Sequence, residues 1–397
     1  MGSFEELPPT TTTSNPLQCP PKQKTKQQPK PWRETPLIES EQLSKLAGCR
    51  IFLKLESTQP SGSFKSRGIG NLILSHTTNP SNTTKDLHFF IPSGGNAGLA
   101  AVTAARSLNY PCTVVVPAAT KRGMQARLVE AGAAAVVAHG ETIEVAAAYM
   151  REVVMEGVRG KVGRGGREVV GVELHPYEGE RVWEGNSTLV DEVVRQMAEL
   201  EGEEGGRGFP ADAVVCSVGG GGLMNGVVQG IERAVKHGNG NGGKDVHVLA
   251  LETRGADALA RAVEAGKLVA MPAITSMASS LGAVTVSRRS LDYVLHPPEG
   301  IKVHNFVMDD SEAARGVLRL LDEHRLLVEL ACGVCVEAVV EDKKRMENNV
   351  LSGLSKLAQV IPDFGPESRV VVVACGGSNI SLEIAAEYRE RLANGWD

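Results

Sequence analysis

No apolar run in this 397-residue chain approaches the roughly 20 residues that a membrane span needs. The longest, such as RVVVVACGG (369–377), are strand-sized. The chain also lacks an excess of positive charge. Its 42 Lys and Arg against 47 Asp and Glu leave a net charge of −5, so no basic footprint for nucleic acid exists. Cysteines number seven, an odd count spread from Cys19 to Cys375. That suits reduced thiols in the cytoplasm and excludes a framework of disulfides. Cys332 and Cys335 form a CxxC without a second pair or a suitably spaced His pair, so they read as two small residues at a helix start and not as a zinc site. The N-terminus has no apolar core of a secretory signal. No arginine precedes Arg33, and Glu5 and Glu6 argue against a transit peptide. Glu6 also stands where a myristoylation site needs Ser or Thr. No internal repeat is present.

What is there begins after a tail. Residues 1–30 are rich in Pro, Thr, Gln and Lys, and their composition predicts disorder. From residue 88 onward, short apolar runs alternate with helical spacing. HFFIPS (88–93), CTVVVP (112–117), AAAVVA (133–138), EVVGVEL (168–174), AVVCSVGG (213–220), VHVLALE (246–252) and RVVVVACGG are the strand candidates. Helices are expected between them, near 186–200, 222–236, 256–265 and 379–393, with a long one from 334 to about 359. Continuous apolar strands separated by helices predict an α/β fold with parallel sheets covered on both faces. Gly-rich and charged stretches at 157–168, 201–210 and 237–244 read as surface loops.

Ligands of parallel α/β sheets bind beyond the carboxyl ends of the strands. Three turns there are unusual: SGGNAG (93–98), SVGGGG (217–222) and CGGSN (375–379). Four glycines, Gly219 to Gly222, let backbone N–H groups converge on an anion at a helix start. The dinucleotide pattern GxGxxG fails, since Met224 or Asn225 stands where its last glycine belongs, so a single phosphate is expected. A fourth stretch, PSGSFKSRG (60–68), places Lys65 after a turn. It is not a phosphate loop, because Phe64 and not glycine precedes the lysine. A lysine, a phosphate cradle and polar turns together suggest pyridoxal 5'-phosphate, whose aldehyde suits the lysine and whose phosphate suits the glycines.

With these motifs in this order the chain resembles the fold-type II pyridoxal phosphate enzymes, the tryptophan synthase beta-like fold. It is most similar to the short, catabolic L-serine dehydratases and L-threonine deaminases. TPLIESEQLSKLAG (35–48), VWEGNST (182–188), LETRGADAL (251–259) and SSLGAVTV (279–286) extend the likeness over roughly 34–393. The resemblance implies two units, 59–170 small and 31–58 with 171–397 large, and an active site between them. It implies that Lys65 holds the cofactor and serves as general base, that Phe64 lies near the ring, and that Gly219, Gly220, Gly221 and Gly222 bind the phosphate. Asn96 would bond the ring oxygen and Cys375 would face the ring nitrogen. Ser93, with Gly94, Gly95, Asn96 and Ala97, would hold the substrate carboxylate. A monovalent or divalent cation would rest on backbone oxygens of Glu252, Ala256, Leu281 and Ala283.

The activity so implied is elimination of water from L-serine, and from L-threonine, in amino-acid catabolism and gluconeogenesis, by a homodimer. Serine racemase, a β-replacement enzyme such as cysteine synthase, and a non-catalytic binding protein of this fold are the alternatives. Gly94 stands where racemase-like relatives carry a serine, which favours elimination and leaves more space. No regulatory region follows residue 393, which the resemblance reads as catabolic. A neutral Cys375 thiol, ordinarily titrating near 8.5, would leave the ring nitrogen unprotonated and favour loss of the β-hydroxyl over transamination.

Overall fold

The computed structural model describes residues 29–202, 208–237, 244–340 and 355–396. The expected disorder of the tail lies almost wholly outside these residues, as do parts of the 201–210 and 237–244 stretches.

Among the described residues, ten strands form two sheets. They are β1 (Leu37–Glu39), β2 (Arg50–Lys54), β3 (Lys85–Ile91), β4 (Cys112–Val116), β5 (Ala135–Ala138), β6 (Glu168–Glu173), β7 (Ala213–Ser217), β8 (Val246–Thr253), β9 (Ile301–Met308) and β10 (Arg369–Val373). The larger sheet runs β1-β2-β10-β7-β8-β9 and the smaller runs β5-β4-β3-β6. Only the β1–β2 pair is antiparallel. Burial explains the sequence pattern. Central strands β4, β7 and β8 are buried at every position, so both faces take chiefly apolar or small side chains, with His247 and Glu252 of β8 buried against polar partners. At the margin, β9 alternates, with Lys302 exposed between buried Ile301 and Val303. Its Lys, His and Asn break the apolar run, which is why sequence reading passed over it. Strand β2 has an apolar run of only three residues, 51–53, between Arg50 and Lys54.

The expected helices are present with shifted ends: Glu180–Glu201, Gly222–His237, Ala258–Ala265 and Leu382–Ala393. The helix expected from 334 to 359 is not continuous. It is Leu330–Glu337, followed by a turn at 338–340, and a short helix Lys356–Val360 ends before Pro362. The residues between lie outside the described set. Cys332 and Cys335 do sit in the first turns of the Leu330 helix, buried. Cys112, Cys216, Cys332, Cys335 and Cys375 are free thiols.

One buried ionic cluster fixes the geometry that matters below. Arg67, in the first turn of the helix Lys65–Thr77, is fully buried. It donates to Glu56 at 2.7 and 2.8 Å and to Glu192 at 2.6 Å. Lys54 at the end of β2 joins them, 2.7 Å from Glu192. Glu56 follows β2 and Glu192 lies on the helix Glu180–Glu201. The start of the Lys65 helix is therefore bound to the larger sheet by charges that have partners on every side, as burial requires.

Candidate active site

A cavity of about 1220 Å³ opens at the carboxyl ends of the strands of both sheets. Its wall is made by the turns after β3 (Ser93–Ala97), after β6 (His175–Tyr177), after β7 (Gly219–Gly222) and after β10 (Cys375, Gly376), together with Phe64 and Lys65. Thus Phe64, Lys65, Ser93, Gly94, Gly95, Asn96, Ala97, the four glycines and Cys375, which sequence reading singled out separately, line one space. Leu281 and Ala283 line it too, whereas Glu252 and Ala256 do not.

Lys65 opens its helix directly after Phe64. Its Nζ donates to the carbonyl of Pro176 at 2.6 Å and lies 5.2 Å from the centre of the Phe64 ring. Burial lowers the amine from its ordinary 10.5 to about 8, against a smaller upward pull from Cys375. An amine in that range holds a sizeable neutral fraction near neutral pH, which nucleophilic and general-base work both need. The loop carrying Lys65 is bound to the turn after β10: Phe64 N donates to Cys375 O at 3.1 Å and Gly377 N to Gly62 O at 3.0 Å. Cys375 Sγ lies 3.8 Å from Ser217 Oγ. Cys332 beside it and burial push the Cys375 thiol well above its usual range, so it is neutral near pH 7.

Gly221 has φ +91, and a Cβ there would run into Ser290 Oγ. A Cβ on Gly220 would run into the ring of Tyr177, and one on Gly222 would meet the Tyr177 carbonyl at 2.8 Å. Packing therefore accounts for these glycines without any ligand, and their count alone is weaker evidence for phosphate than the sequence argument made it. The stronger observation concerns hydrogen bonds. Among the described residues, no backbone acceptor takes the amide hydrogens of Gly219 to Gly222. They lie at the start of the helix Gly222–His237, where the dipole favours an anion. Ser63 adds a second indication. Its Oγ is buried without a hydrogen-bond partner, two residues from Lys65 on the same wall. A neutralisable amine, a cradle of free N–H donors, a neutral thiol and an orphaned hydroxyl together fit pyridoxal phosphate.

Sequence reading missed several lining residues. His175 accepts the backbone N–H of Glu178 at 2.9 Å and so shapes the turn that receives the Lys65 amine. Tyr177 is fixed over the cradle, its OH donating to Thr285 O at 3.1 Å and its carbonyl accepting from Trp183 Nε1 at 3.0 Å. Glu329, at the start of the Leu330 helix, also lines the cavity. HPYE (175–178) and VEL (328–330) carry no glycine or lysine signature, so only the assembled fold brings them forward. Gly94 needs a correction. A Cβ there would meet Thr120 Cγ2 at 3.0 Å and Val116 Cγ1 at 3.1 Å, so the absent side chain yields its space partly to these neighbours and not wholly to a substrate.

The proposed cation set is divided. The Glu252 carboxylate points away from the cavity and caps the helix Ala258–Ala265, accepting from Leu259 N at 2.8 Å, Ala260 N at 2.9 Å and Asn305 Nδ2 at 3.0 Å. Burial raises it to about 7. Only main-chain oxygens are left to serve a cation there. Among the described residues no group of three or more His, Cys, Asp or Glu is placed to hold a metal.

Comparison with known proteins agrees with this geometry. The family model described as "Pyridoxal-phosphate dependent enzyme" matches residues 30–376. The chain is 37% identical over 360 residues to an L-serine dehydratase/L-threonine deaminase of Bos taurus, covering 90% of this chain and 95% of that one. It is 33% identical to a catabolic L-serine/threonine dehydratase of Saccharomyces cerevisiae, with 91% of each covered. Among solved structures, a fungal L-serine ammonia-lyase from Rhizomucor miehei superposes with a TM-score of 0.70 at 31% identity, over 91% of this chain and 99% of the other. Maize serine racemase superposes at 0.68 with 20% identity over 92% and 94%, a likeness of fold alone.

Proposed function

Because the chain belongs to the family of pyridoxal-phosphate dependent enzymes, we propose that it is a lyase removing water and then ammonia from L-serine, and from L-threonine, to give pyruvate or 2-oxobutanoate. The observation that carries this reading is the meeting, in one cavity, of the Lys65 amine with the free N–H groups of Gly219–Gly222. The bound cofactor supplies an aldehyde for Lys65 and a ring that draws electrons from the substrate's α-carbon. Everything else is the work of this chain's residues.

The glycine N–H groups would hold the phosphate, and Asn96 would hold the ring oxygen. Ser93 and the backbone of its turn hold the substrate carboxylate. Lys65 would remove the α-proton of the bound substrate as general base. Its pull toward neutrality by burial suits that task. The neutral Cys375 thiol would offer the ring nitrogen no charge partner, and a ring that withdraws electrons less strongly favours loss of the β-hydroxyl. The product 2-aminoacrylate is hydrolysed in water. A Cβ at Gly94 would press on Thr120 and Val116, and the lack there of the serine carried by racemase-like relatives weighs against racemisation. Residues 59–170 are taken as the smaller unit and 31–58 with 171–397 as the larger. A homodimer in the cytoplasm belongs to the same reading, as does a cation on the main-chain oxygens of Glu252, Ala256, Leu281 and Ala283, on which no step depends.

The test is 2-oxo acid formation by the purified protein with L-serine and with L-threonine, beside Lys65→Ala. Oxo acid from the wild type alone is expected. None from either substrate, in protein carrying its cofactor, would shift the assignment to β-replacement or to binding without catalysis.

A further inference from the structure

Asn96 reaches the cavity from the first turn of the helix Asn96–Ser107. A side-chain amide has two N–H hydrogens and two oxygen lone pairs. Here Oδ1 accepts both from Ser378 N and from Ser378 Oγ, each at 2.9 Å. Nδ2 donates to Glu329 Oε1 at 3.0 Å. Three of the four positions are filled, and among the described residues no acceptor takes the second Nδ2 hydrogen. Glu329 is 5% exposed, and the same Oε1 accepts from Asn379 N at 2.7 Å. Its carboxylate can only accept when ionised. Turning the Asn96 amide over would set oxygen against oxygen at Glu329 and N–H against N–H at Ser378. Gly377 makes the arrangement possible, since its φ is +121 and a Cβ there would strike the Glu329 carboxylate.

We propose that Glu329 is a positioning residue: it locks the Asn96 amide so that one N–H remains to be given to an anionic oxygen on the ring of the bound cofactor. The inference rests on the reading that the cavity takes pyridoxal phosphate. Glu329 itself need not touch the reacting atoms. It bridges the helix that follows the smaller sheet and the turn that follows β10, so the donor's direction is set from the opposite side of the cavity.

The test is a double-mutant cycle read in the dissociation constant of pyridoxal phosphate, measured by absorbance titration of the full-length protein. Asn96→Ala and Glu329→Ala are each expected to weaken binding about three- to tenfold, the range of one hydrogen bond. If Glu329 acts through Asn96, the double variant binds no more weakly than Asn96→Ala alone. Glu329→Gln, which keeps an accepting oxygen, is expected to stay within about twofold of wild type. Losses that multiply in the double variant would overturn the proposal, because a general structural role produces that pattern. So would a Glu329→Gln loss equal to that of Glu329→Ala. Should Glu329→Ala not fold, Glu329→Met, closer in volume, takes its place in the cycle. Wild-type protein that fails to bind the cofactor would overturn the functional reading itself, an outcome distinct from multiplicative losses in a protein that binds.

Discussion

At the scale of the residue, the cavity depends on groups whose ordinary chemistry has been changed by their surroundings. Lys65 is the clearest. Only its neutral form can capture an aldehyde, and burial brings that form within reach by lowering the amine to about 8. The sign of the pH dependence follows. Below 8 the neutral fraction falls tenfold per pH unit, and above 8 it saturates. Capture of pyridoxal phosphate by cofactor-free protein is therefore expected to accelerate with pH and level off near 8, about two units earlier than an exposed lysine near 10.4 would. Stopped-flow absorbance between pH 6 and 9.5 measures it. A rate still rising steeply at pH 9.5 would show that the amine is not desolvated. Cys375 shows the converse shift: Cys332 and burial both raise the thiol, and a neutral donor results at the position proposed to face the ring nitrogen.

At the scale of the element, the Lys65 helix is placed by Arg67, two residues from Lys65. Removing the guanidinium leaves Glu56 fully buried without its ion pair and leaves Glu192 with Lys54 alone. Breaking such a pair costs about 3–5 kcal/mol. Arg67→Ala is therefore expected to lower stability by that order in urea denaturation and to loosen cofactor binding as well. A loss below about 1 kcal/mol would mean that water or rearrangement satisfies the two carboxylates. The same scale shows what a sequence can and cannot disclose. Strands β4, β7, β8 and β10 were legible because parallel strands covered on both faces are built chiefly from apolar runs. Turns 93–98, 217–222 and 375–379 were legible because glycines punctuate them. Glu329, His175 and Tyr177 were not, since a buried carboxylate, a ring accepting a backbone N–H and a tyrosine over a glycine gain meaning only from the partners that folding sets against them. Gly220 misled in a smaller way: its lack of a side chain serves Tyr177 as well as any phosphate.

At the scale of the whole molecule, the cavity joins two sheets that share no strand. Asn96 and Ser93 come from the smaller sheet's turns, the glycine cradle and Cys375 from the larger sheet's, and Glu329 and Ser378 already reach across to Asn96. A cofactor held at both ends must therefore couple the two sides, since any ligand that binds only the folded, assembled arrangement stabilises all of it. Pyridoxal phosphate is expected to slow amide hydrogen exchange at the Ser93–Gly98 turn and at the Gly219–Gly222 loop together, over the same concentration range. Exchange measured by mass spectrometry at stepped cofactor concentrations tests this. Protection confined to the glycine loop would mean that the phosphate is held without engagement of Asn96. The bridge from Glu329 would then hold the amide for the fold alone. Protection of both turns in wild type, with the Ser93–Gly98 response lost in Asn96→Ala, would place the coupling between the sheets in the amide itself.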